Sequence, residues 1–131
     1  MSRVHPGGIP EARSKFAKAC EFLAAAQDAL AKDRPNAACS DAVNAAINAN
    51  DALCLVRLQR YSTATSHAQA LDLARSCGPV GRQVATQYER VLKVKDRAQY
   101  ETASIRLAEA TKVVDRAERI VELVRGALAG G

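Results

Sequence analysis

The groups able to do chemistry in this 131-residue chain are few, and two of them share a suggestive spacing. Arg60 precedes His67 in an Arg-x6-His arrangement, and His67 stands where a hydroxyl-rich loop gives way to a helical pattern. An imidazole titrates near neutrality and can move protons, while a guanidinium can steady the charge that builds on a phosphate. The other histidine, His5, lies among Pro6, Gly7, Gly8 and Pro10. Asp51 falls toward the end of one helical segment and His67 opens the next, so an antiparallel pair could bring them into contact. Asp51 would then orient the imidazole and raise its pKa. Lys95, Arg97 and Tyr100 end a later helical segment and could approach the same corner, with Arg60 and Lys95 attracting an anionic ligand. Asn48 and Asp51 also belong to a polar stripe, Asp41, Asn44, Asn48, Asp51, that repeats at helical spacing. That stripe is either a solvent-facing seam or a polar wall lining a groove or dimer cleft. His67 itself is either a site residue or a packed residue that caps and joins helices.

Most other chemistry is excluded by pattern. The sequence has no glycine-rich phosphate loop, no nucleophile elbow and no H-E-x-x-H. Cys20, Cys39, Cys54 and Cys77 are too widely spaced for a zinc cage or a C-x-x-C redox pair, and they read as free, buried thiols. No metal and no cofactor is expected.

The elements that must position these groups are helices. Apolar residues make up 48% of the chain, aromatics only 4%, and 27 residues are alanine, the strongest helix former. The first helix is predicted from about Ala12 to Lys32, with Phe16, Ala19, Leu23, Ala26 and Leu30 in one stripe. After Asp33-Arg34-Pro35, a second, alanine-rich helix runs from about Asn36 to Gln59 and should be central in the bundle. Arg60 to Ser66 is a loop. A third helix spans Ser66 to Cys77, with Ser66 or Thr65 as its N-cap and Ala70, Leu71 and Ala74 inward. Gly78-Pro79 stops it. The fourth runs from Val80 to about Arg97, with Val84, Tyr88, Val91, Leu92 and Lys95 facing inward. A break near Tyr100 to Ser104 precedes a last helix, Ile105 to Leu128. The expected fold is all-α, an up-and-down bundle of four to five helices. Residues 1–11 read as a flexible tail and 12–131 as a single helical domain.

A net charge of +5 permits nucleic acid as a partner without demanding it. The excess concentrates in Arg82, Arg90, Lys93, Lys95 and Arg97, a solvated face or a phosphate-binding stripe. No apolar run is long enough to span a membrane and the N-terminus lacks a signal-peptide core, so a cytoplasmic protein is expected. An alanine-rich core supplies little transfer energy per residue, which favours a homodimer.

Several stretches together resemble the HEPN-domain family. These are the Asn48-Ala49-Asn50-Asp51-Ala52-Leu53 segment in a long alanine-rich helix, the Arg60 to His67 loop, and Lys95-Asp96-Arg97-Ala98-Gln99-Tyr100 before a final amphipathic helix. The resemblance spans about Ala12 to Leu128. It implies a helical bundle that dimerises, and in many members a metal-independent ribonuclease or toxin built on an R-x4-6-H motif. Arg60 would hold phosphate and His67 would act as acid or base, with Asn48, Asp51, Lys95, Arg97 and Tyr100 as binding residues. Other members are inactive and serve as binding modules beside a nucleotidyltransferase. RNA, a nucleotidyltransferase or an antitoxin are the partners the resemblance suggests.

Overall fold

The structure is a computed structural model that describes residues 3–64, 66–100 and 104–130, residues 97–100 by backbone alone. Among the described residues the chain forms five helices and one short strand pair: β1 (Val4–Pro6), α1 (Ile9–Ala31), α2 (Pro35–Leu58), β2 (Arg60–Ser62), α3 (Ala68–Arg75), α4 (Gly78–Tyr100) and α5 (Leu107–Ala129).

Local chemistry explains the boundaries. The Glu11 carboxylate accepts the Gly8 N–H at 3.2 Å, and Pro10 pre-sets the first turn, so α1 starts at Ile9, ahead of the Ala12 expected from its apolar stripe. Pro35 opens α2 in the same way. Gln59 ends α2 in the left-handed region at φ 56°, which turns the chain directly into β2. The stretch read as a tail therefore carries β1, which pairs antiparallel with β2 in the register Val4–Ser62, His5–Tyr61, Pro6–Arg60. Part of the expected Arg60 to Ser66 loop is thus a strand, and Thr63 N–H extends the pairing to the Arg3 carbonyl.

α2 is the central helix. It packs against α1 through a three-residue turn, and also against α5, α4, α3 and β2. Ala38, Ala42, Ala45, Ala46, Ala49 and Ala52 are fully buried, so alanine here is what allows neighbours to close on several sides of one helix. Larger side chains fill the core from α4 and α5: Val84, Tyr88, Val91, Val113, Val114, Ile120, Val121 and Val124. α3 docks through Ala70, Leu73 and Ala74, with Leu71 only half-buried. Gly81 makes the tight α3–α4 corner possible, since a Cβ there would collide with the Ala74 carbonyl oxygen.

Candidate functional site

His67 occupies the N-cap position of α3, one residue later than the expected Ser66; the Ser66 hydroxyl instead accepts the Ala68 N–H at 3.2 Å. Thr65, the other expected cap, lies outside the described residues. The imidazole is half-buried and touches two groups from α4. Its Nδ1 lies 3.2 Å from the Tyr88 hydroxyl and its Nε2 lies 3.3 Å from Lys95 Nζ. An ammonium can only donate, so Nε2 accepts and the ring proton sits on Nδ1, donated to Tyr88 Oη. Tyr88, 1% exposed, meets the imidazole edge-on with centroids 6.0 Å apart. Tyr88 and Lys95 stand two helical turns apart on one face of α4, which is how a single helix reaches both nitrogens.

The electrostatics favour the neutral imidazole. Burial pushes the His67 pKa down and the Lys95 charge pushes it further, while Asp96 opposes them. This overturns the expectation that Asp51 raises it. Asp51 pairs instead with Lys15 of α1 at 3.3 Å, and Lys15 in turn lies 4.5 Å from the centre of the Tyr61 ring. Burial raises the Asp51 carboxyl to about 6, with Lys15 holding it back from rising further. Its charge does act on Tyr88, whose pKa is raised chiefly by burial and further by Asp51 and Cys54.

The remaining sequence candidates separate. Arg60 is exposed on β2, opposite Pro6, and lines a shallow depression with Val4, Leu58 and Leu73; it forms no bond with His67. Asn48 donates to the Asn44 carbonyl at 2.9 Å, a bond within α2. The side chains of Arg97 and Tyr100 lie outside the described residues. The polar stripe of α2 splits as the helix turns: Asp51 faces inward to Lys15, while Asn44 lines a cleft of about 330 Å³ with Ser40, Val43, Ile47, Ile105 and Lys95. Lys95 thus belongs to both the cleft and the imidazole corner. The Asn36 carboxamide oxygen closes one end by accepting the Ile105 N–H at 3.2 Å.

Sequence reasoning missed three contributors. Tyr88 reads from the sequence as an inner-face residue alone, although its spacing from Lys95 puts both on one side of α4. Lys15 was invisible as the partner of Asp51, because helix pairing register is not written in either segment alone. Asn50 is buried at 1% exposure and donates to the Ala70 carbonyl at 3.2 Å, tying α2 to the helix that carries His67. Among the described residues no group of three or more His, Cys, Asp or Glu is placed to hold a metal ion. No helix among them is long and apolar enough to cross a membrane.

No curated protein and no solved structure matches the chain. A family model for the HEPN domain matches residues 12–127, from the first full turn of α1 to the last of α5. With nearly the whole helical bundle covered, the chain belongs to the HEPN domain family.

Proposed function

We propose that this protein acts on RNA as a metal-independent endoribonuclease of the toxin or defence type common in its family, working as a homodimer. The observation that supports this most is the neutral imidazole of His67, held between Tyr88 and the Lys95 ammonium, with Lys95 also lining the α2 cleft. A phosphate drawn to Lys95 would release Nε2 from its bond. The freed nitrogen would then take the proton of the adjacent ribose 2′-hydroxyl while that oxygen attacks phosphorus. The phosphorus–5′-oxygen bond breaks, and the departing oxygen receives the proton back from the imidazolium, leaving a 2′,3′-cyclic phosphate and a 5′-hydroxyl. Lys95 offsets the charge gathered on the phosphorane. Arg60, Arg97, Tyr100, Asn48 and Asp51 are secondary in this reading: the first three extend the contact to the RNA backbone, and the other two support the helix that lines the cleft.

A second reading is favoured by the position of Arg60. The Arg-x6-His pair is not assembled within one chain, as expected for an inactive module that binds RNA or a nucleotidyltransferase or antitoxin partner without turnover. Incubating end-labelled RNA with the protein in EDTA separates the two. The ribonuclease reading expects fragments ending in cyclic phosphate, and none where the ribose is 2′-deoxy. RNA retention with no fragments supports the module.

A further inference from the structure

The face built by the start of α1 and the end of α5 is apolar in its floor and basic at its rim, and the RNA reading does not use it. Ile9, Phe16, Val56 and Leu128 line a groove of about 670 Å³, flanked by Arg13 and Arg125. Ile9 is 47% exposed, one of two large apolar side chains left so open among the described residues. Neither arginine is neutralised by a carboxylate among the described residues. The Arg125 guanidinium stacks 5.1 Å over the Phe16 ring, and one of its nitrogens makes a weak 3.7 Å contact with Cys20 Sγ. A guanidinium lying over an aromatic ring is attracted to the ring face and still has N–H groups to offer a carboxylate.

From this combination we infer that the α1–α5 groove is a docking site for an acidic amphipathic helix of a partner protein. Apolar side chains at helical spacing would fill the floor over Phe16, Val56 and Leu128, and flanking carboxylates would pair with Arg13 and Arg125. A second copy of this chain does not fit the same face. A two-fold contact is self-complementary, so it would bring the Arg13 and Arg125 groups of both copies against one another. A phosphate backbone would satisfy the rim but leave the apolar floor unfilled.

Two peptide probes test the site on the full chain: a helical peptide with a leucine seam flanked by glutamates, and its isomer flanked by lysines. The acidic peptide should bind and the basic one should not. The double variant R13E/R125E should lose about tenfold or more in affinity for the acidic peptide and gain the basic one. I9E, at an exposed position on the floor, should weaken binding of the acidic peptide while helicity stays unchanged. Equal binding of the acidic peptide to wild type and R13E/R125E would overturn the inference. So would absence of binding to wild type, or loss in the double variant of binding to an RNA oligonucleotide or to anionic vesicles with the peptide response unaltered.

Discussion

His67 is set by two neighbours, Tyr88 and Lys95, whose contributions can be separated by substitution. Burial and the Lys95 charge both hold the imidazole below its ordinary pKa, so the basic form dominates at neutral pH. The acid limb of the cleavage rate should therefore lie below the usual histidine range. Removing the like charge with K95M should move that limb upward and lower the rate at its plateau, because the phosphate loses its cation. A pH–rate profile checks this; an unmoved limb would show that Lys95 does not act on the imidazole. Asp51 offers a test through stability. Its carboxyl is raised to about 6 in the folded chain against about 4 unfolded, chiefly by burial, so the folded state holds the proton more tightly. The resulting stabilisation is fully present below about pH 4 and is lost as pH rises through about 6, a change of about 3 kcal/mol. Denaturant melts of wild type and D51N across this window should diverge in slope, with the variant nearly flat relative to wild type. Parallel profiles would mean that Asp51 is not titrating in the folded protein. In the sequence, the type and spacing of His67 and Lys95 were legible, but the partner of Asp51 was not. A carboxylate near a helix end can reach either neighbouring helix, and only the packed register of α1 on α2 selects Lys15.

At the scale of elements, the position of His67 depends on how α3 is fastened. α3 is a short helix of eight residues, too short to be stable alone; besides its buried Ala70, Leu73 and Ala74, the Asn50 bond to the Ala70 carbonyl and the close approach permitted by Gly81 help to hold it. Asn50 is a polar group taken out of water beside the buried Asp51 on α2, a cost that makes sense if it fixes α3 in place. N50A should lower stability by about 1–3 kcal/mol and also weaken the RNA response, since α3 carries the imidazole. Urea melts with an unchanged midpoint would show that the bond does not anchor α3. The long helices were readable because their apolar residues recur at three and four over more than twenty positions. The β1–β2 pair was not. Each strand has three residues, and the partners lie more than fifty positions apart, so no local period announces them. Hydroxyl-rich Tyr61-Ser62-Thr63 looks like a loop until residues 4–6 supply the other half of the ladder.

For the whole molecule, composition carried most of the fold: 27 alanines and few aromatics suit a bundle whose central helix is crowded on several sides, as α2 is. What composition could not supply is the assembly state. The homodimer expected from so slight a core should scatter light as twice the 14.0 kDa chain at micromolar concentration. A clean monomer would count against a shared cleft. Arg82, Arg90 and Lys93 are exposed along α4, on the helix that carries Lys95. RNA retention should accordingly fall steeply with salt and depend little on sequence. Retention flat from low to high salt would contradict binding through the backbone.

The central claim, that His67 works on RNA and does not merely join α3 to α4, is tested most directly by one variant read in two ways. H67A removes the imidazole while leaving Tyr88 and Lys95 in place. Losing its bond to the buried Tyr88 hydroxyl should lower stability by only about 1–2 kcal/mol, so the variant should remain folded and helical at the assay temperature. Cleavage should nevertheless fall by about 100-fold or more, the loss expected when a general base is deleted. Cleavage that is unchanged in folded H67A, or that falls only in proportion to the fraction unfolded, would contradict the account.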